Sequence, residues 1–92
     1  MSGDSRLQLR IVSPDRVLLE AEVLEVQFPG PDGYLGIWPG HRPLNSFLTR
    51  GEVIYRTVLG QTETLAVRGG VVQVGDDKII MFVDMEENDD RA

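Results

Sequence analysis

No cysteine occurs in the 92 residues, which removes disulfides, thiolate nucleophiles, iron–sulfur clusters and thiolate zinc sites at once. Histidine, lysine and tryptophan occur once each, as His41, Lys78 and Trp38. Basic residues are the minority: nine Lys and Arg stand against fifteen Asp and Glu, giving a formal charge of −6 and a pI near 4.6. Phosphate backbones are held by clustered cations, so nucleic acid is not an expected partner. An anionic membrane surface is disfavoured for the same reason. Long apolar runs are missing too. Ile79–Val83 is among the longest and falls far short of the ~20 residues a membrane helix needs, so no direct membrane insertion is expected. The opening Met1-Ser-Gly-Asp-Ser has neither the basic start nor the apolar stretch of a signal peptide. With the missing cysteines, this suits a soluble domain of a reducing cytosol.

What remains is enough for one domain with one core, since 41% of the chain is hydrophobic. Its apolar residues follow a period of two rather than 3.6. Leu7, Leu9 and Ile11 alternate with Arg6, Gln8 and Arg10; Leu19, Ala21 and Val23 alternate with Glu20 and Glu22. The phase then slips, and Leu24, Val26 and Phe28 become the apolar set. One extra residue turns every later side chain to the other face, so a β-bulge or bend is expected near Val23-Leu24. Further strands are expected at Glu52–Val58, Thr62–Val67, Val71–Val74 and Lys78–Val83, with turns at Leu59-Gly60-Gln61 and Gly75-Asp76-Asp77. Short strands at this spacing predict an all-β fold, an antiparallel sandwich or flattened barrel. Ile79 to Phe82 is apolar on both faces, which places that strand centrally or gives it a second surface for a partner to bury.

The middle third is punctuated differently. Pro29-Gly30-Pro31-Asp32-Gly33 reads as a turn, and Tyr34-Leu35-Gly36-Ile37-Trp38 as a short apolar segment stopped by Pro39-Gly40. Pro43–Leu48 is expected to form at most a turn or two of helix. Trp38, flanked by Gly and Pro, reads as core, with an interface role as its alternative; Tyr34 reads as surface. Residues 1–84 are expected to form the domain and residues 85–92 an acidic, disordered tail. From Asp84 onward the chain carries −4 of the total charge, which leaves −2 for Met1–Val83.

Catalytic parts are absent from the sequence. His41 has no carboxylate at a metal-ligand spacing, and no nucleophile elbow, phosphate loop or dinucleotide fingerprint occurs. Neither a catalytic nor a metal-binding residue is expected. Lys78 beside a turn suggests the lipoyl- or biotinyl-lysine of a free-standing carrier module, but those lysines sit mid-chain. Only fourteen residues follow this one, so a solvated charge is its simpler reading. His41 is equally a loop imidazole or a contact residue, and Arg42, between His41 and Pro43, is an exposed cation on a rigid loop.

The run Asp32-Gly-Tyr-Leu-Gly-Ile-Trp-Pro-Gly-His-Arg-Pro-Leu44 resembles the signature of the epsilon subunit of F-type ATP synthases, acidic-Gly-x-Leu-Gly-Ile-x-Pro-Gly-His-x-Pro-Leu. Flanking features agree in order. Leu9–Pro14 with Val17–Glu22 resembles the family's opening element and second strand. Leu65–Val74, which includes Gly69-Gly70, is similar to its Gly-Gly strand pair.

The resemblance implies a ten-stranded antiparallel β-sandwich in the rotor's central stalk. Such a domain binds the gamma subunit and the ring of c subunits, and couples proton or sodium translocation to ATP synthesis. It is non-catalytic and needs no cofactor. Pro31, Asp32, Gly33 and Tyr34 correspond to the part facing the c ring. The stretch His41–Leu48 corresponds to the part against gamma, with His41, Arg42, Leu44 and Phe47 as the expected contacts. The implied location is peripheral, at the cytoplasmic face of the bacterial inner membrane. Tyr34 stands where an acidic residue is usual in the family, and Arg42 where Ala is common. Family members continue into a regulatory two-helix hairpin, and the functions of that hairpin are not carried over.

Overall fold

The computed structural model describes residues 5–85. Seven strands follow one another: β1 (Leu7–Val12), β2 (Val17–Gly30), β3 (Gly33–Ile37), β4 (Leu44–Leu48), β5 (Gly51–Thr57), β6 (Thr62–Val74) and β7 (Lys78–Met85). Met85 closes β7, and the rest of the expected acidic tail lies outside the described residues.

Two strands are much longer than the others, and both bend. The first part of β2 pairs with β1 up to Val23↔Leu7; from Val23↔Thr57 onward it pairs with β5, and from Val26↔Ile37 with β3. The register shifts between Val23 and Glu25, where the sequence pattern slips phase. Leu24 is the extra residue that turns the corner. β6 bends likewise between Val67 and Gly69, leaving β5 for β7 and β4. Each long strand therefore serves both layers of the sandwich. The resemblance implies ten strands; the structure has seven continuous ones, two of which serve both layers. Hydrogen bonding runs in a closed circuit, β1–β7–β6–β5–β2 and back to β1. All pairs are antiparallel except β1–β7; no hairpin joins these two strands, so nothing forces them to run in opposite directions.

Between the layers lie alternate residues of each strand, among them Leu7, Leu9 and Ile11 of β1, Phe28 of β2 and Ile79, Met81 and Val83 of β7. Burying one such side chain contributes about 1.5–3 kcal/mol. No polar or charged side chain is buried among the described residues. The charges sit outside as cross-strand pairs, Arg6–Glu22 at 3.1 Å, Arg10–Glu20 at 3.2 Å and Arg56–Glu25 at 3.5 Å, each contributing at most about 1 kcal/mol.

Three local expectations are corrected. Pro43–Leu48 is not helical: Leu44–Leu48 is β4, paired with β6 from Leu44↔Val74 to Leu48↔Gly70. Its Leu44, Ser46 and Leu48 turn inward while Asn45 and Phe47 face out. A five-residue helix is not stable alone, and a waiting sheet edge satisfies the same backbone groups. Thr62–Val67 and Val71–Val74 are one strand, because a bulge at Arg68 bends the chain without ending its pairing. Trp38 is not core: it is 50% exposed, and its ring lies over Gly36, where a Cβ would approach it to 2.6 Å.

Candidate functional site

The β2–β3 hairpin carries the first group of expected contact residues. Pro31 and Asp32 form its two-residue turn, closed by the pair Gly30↔Gly33. Gly33 has φ +124°, a conformation that glycine adopts without a side-chain penalty. Pro31, Asp32, Gly33 and Tyr34 are all exposed. Tyr34 is nonetheless anchored: its hydroxyl accepts the backbone N–H of Glu52 at 3.1 Å. The end of β2 is held from the other side, where Thr49 donates its N–H to the Pro29 carbonyl at 2.9 Å.

Residues 38–43 join β3 to β4 and carry His41 and Arg42. A turn forms as His41 donates its N–H to the Trp38 carbonyl at 3.1 Å, with Gly40 at φ +87°. The Gly40 N–H reaches across the fold to Oδ1 of Asp77, 2.8 Å away. Nδ1 of His41 lies 2.7 Å from the Arg42 carbonyl oxygen. A carbonyl only accepts, so Nδ1 is the donor in this contact. His41 is half-buried and Arg42 exposed.

On β4, Leu44 packs against the core and Phe47 is 66% exposed. Phe47 is one end of an apolar stripe. Cross-strand register runs Phe47↔Val71↔Phe82↔Val12↔Val17 through β4, β6, β7, β1 and β2. Directly opposed residues share a face of the sheet. Phe47, Val71, Phe82 and Val17 are exposed and Val12 is half-buried. The neighbouring rung reads Asn45–Gln73–Ile80–Arg10–Glu20, so the same face is apolar towards one end and polar towards the other.

Among the expected residues, the fold brings Tyr34 and Phe47 together. The hairpin tip 31–35 and Asn45–Phe47 line one cleft of about 330 Å³. It does not gather His41 and Arg42 into that cleft. Val12, Val17, Val71 and Phe82 escaped the sequence reading as a set, although the two-sided apolarity of Ile79–Phe82 was their signal. Lys78 is the first residue of β7, in register with Gln8. No group of three or more metal-ligating side chains occurs among the described residues. The arrangement offers an exposed contact surface.

Comparison with known proteins bears on the whole domain. The family described as the ATP synthase delta/epsilon chain β-sandwich domain matches residues 6–88. An ATP synthase epsilon chain of Moorella thermoacetica is 42% identical over 81 residues, covering 88% of this chain and 60% of that one. One from Desulfitobacterium hafniense is 41% identical over 84 residues, covering 91% and 63%. The chain thus spans about three-fifths of the length of these relatives. Among solved structures, the Euglena gracilis mitochondrial ATP synthase (OSCP/F1/c-ring) contains a similar fold with a TM-score of 0.82 at 18% identity, over 90% of this chain and 53% of that one. The central stalk/c-ring of the Tetrahymena thermophila mitochondrial ATP synthase gives 0.72 at 15% identity, over 92% and 72%.

Proposed function

The chain belongs to the ATP synthase delta/epsilon chain β-sandwich family, and from that premise we propose that it is the rotor-stalk sandwich of an F-type ATP synthase. In this reading it binds the gamma subunit and the c ring and couples proton or sodium translocation to ATP synthesis. It performs no chemistry itself. It works as part of the synthase, at the cytoplasmic face of a bacterial inner membrane.

The observation that carries the proposal is the apolar stripe ending at Phe47. An exposed apolar row crossing five strands is a poor surface for a free monomer and a good centre for a subunit contact. The gamma contact is assigned to Phe47, Val71 and Phe82, with Leu44 supporting β4 from below and with His41 and Arg42 as separate contacts on the loop before β4, beyond the polar rung Asn45–Gln73–Ile80. Aromatic anchors and Arg are the residue types that dominate such interfaces. The ring contact is assigned to Pro31, Asp32, Gly33 and Tyr34, whose turn is held before any partner arrives. A contact loop fixed in advance loses less conformational entropy on binding.

Mixing the purified chain with gamma from the same synthase tests this directly. Co-elution at micromolar concentration is expected. Phe47→Asp should weaken binding by roughly 30-fold or more, the effect of removing about 2 kcal/mol at an interface anchor. Glu63→Ala, an exposed change on β6, should leave binding unchanged. If the unaltered chain fails to co-elute, the gamma assignment falls; if both variants bind equally, the stripe is not the contact.

A further inference from the structure

The turn between β6 and β7 is built more elaborately than a strand connection requires. Gly75 donates its N–H to the Lys78 carbonyl at 2.8 Å, which closes the turn. Asp77 within it has φ +53°, the single non-glycine residue with positive φ among the described residues. Glycine fits that left-handed conformation without penalty, whereas Asp and Asn are merely tolerated there. A side chain kept at such a position calls for a use. The Asp77 backbone carbonyl accepts the Gln8 N–H at 2.9 Å and so begins the parallel β1–β7 pairing. Its carboxylate does something separate. Oδ1 accepts the N–H of Gly40, 37 positions away in sequence, at 2.8 Å.

Gly40 is the conformationally free residue of the loop that presents His41 and Arg42. Pro39 and Pro43 restrict the backbone on either side of it, but Gly40 itself, at φ +87°, has no Cβ to hold it. A Cβ placed there would meet nothing within 4 Å, so packing against Gly40 itself does not hold it. The geometry points to Asp77 as the positioning residue of this contact loop: its carboxylate fixes the Gly40 amide and thereby sets where His41 and Arg42 stand. The tie adds a long-range anchor to a loop whose own turn is closed only by the His41 N–H to Trp38 carbonyl bond. The tie joins two different connections, the β6–β7 turn and the β3–β4 loop. This inference deepens the gamma assignment and rests on it for its binding consequence, while the tie itself is testable without gamma.

Three variants separate backbone from side chain. Asp77→Asn keeps both the tolerance of positive φ and an oxygen acceptor. Asp77→Gly relieves the backbone but removes the acceptor; Asp77→Ala removes the acceptor and keeps the strain. Amide exchange by NMR reads Gly40 and Gln8 in the same sample, and a titration with gamma reads affinity. In Asp77→Gly, the Gly40 amide should exchange at least about 5-fold faster while Gln8 stays as protected as before. Gamma should bind about 3- to 10-fold more weakly, the range expected for one lost hydrogen bond. Asp77→Asn should restore both readings to within about 2-fold. Unchanged Gly40 exchange in Asp77→Gly overturns the tie, and equal acceleration at Gln8 overturns its specificity by making the effect a general loosening of the turn. Faster Gly40 exchange with unchanged affinity overturns the positioning role. Failure of the unaltered chain to bind gamma would instead strike the proposed function, leaving the exchange comparison to decide the tie alone.

Discussion

The Tyr34 hydroxyl accepts the backbone N–H of Glu52 at 3.1 Å, joining the tip of the β2–β3 hairpin to the start of β5. Tyr34 is 52% exposed, yet its polar end is already engaged. The neighbouring Gly51 leaves the space this needs: a Cβ there would sit 3.0 Å from Cγ of Pro29 and 3.1 Å from the Tyr34 oxygen.

Tyr34→Phe should therefore keep the ring and release the tip. The expected outcome is faster exchange of the Glu52 amide and a loss of about 0.5–1.5 kcal/mol in denaturant unfolding, the usual net worth of one hydrogen bond. A Glu52 amide that exchanges as in the unaltered chain would show that the hydroxyl does not hold it.

Three glycines make a graded series. At Gly70 (φ +146°) a Cβ would collide with the Phe82 carbonyl oxygen and lie 3.0 Å from Cα of Val83. Gly70→Ala should cost at least about 3 kcal/mol, because backbone on both strands must separate. At Gly60 (φ +88°) nothing lies within 4 Å, so Gly60→Ala should cost only the left-handed penalty of about 1 kcal/mol. Gly75 has ordinary φ and open space, and Gly75→Ala should be neutral or stabilising by up to about 1 kcal/mol. Urea midpoints in any other order would refute the packing argument.

Stability at alkaline pH depends on Tyr55. Burial, and after it the Glu63 carboxylate facing it across β5 and β6, raises its phenol pKa above the ordinary 10.0. Because the folded state holds the proton more tightly, the contribution is fully present below pH 10.0 and is lost as pH rises through the folded-state pKa. Between pH 9 and 11, Tyr55→Phe should lose less stability than the unaltered chain, and Glu63→Gln should lie between the two. Parallel curves for Tyr55→Phe and the unaltered chain would exclude the effect.

The strands whose alternation is set by burial were legible in the sequence. β1 shows it, and so does the corner in β2, because one extra residue there leaves a visible phase slip; β5 and β7, apolar on both faces, were legible from the turn residues that bound them. β4 was not legible. Its inward Leu44, Ser46 and Leu48 include a polar residue, and its pairing with β6 is a long-range fact that no local window contains. Trp38 was misplaced because the Gly-Pro setting does not say which side of the chain the ring covers. The motif from Asp32 to Leu44 named the contact loops, but the stripe Phe47–Val71–Phe82–Val12–Val17 becomes a row only once register is known. Asp77 read as an ordinary turn residue, since nothing local points to an amide 37 positions earlier.

The closed circuit of β1, β7, β6, β5 and β2 has a mechanical consequence. A thin wall bent into a complete tube resists twisting far better than the same wall slit along its length, because shear can circulate around it. Here the circuit has no seam, and at two corners the wall is crossed by continuous polypeptide rather than by hydrogen bonds alone. A couple applied to the outer face of β7 reaches β5 through the covalent chains of β2 and β6. Opening any single ladder, for instance with a proline in β1 at a residue whose N–H pairs, would turn the tube into a slit sheet. Torsional compliance should then rise much more than the loss of one or two hydrogen bonds suggests.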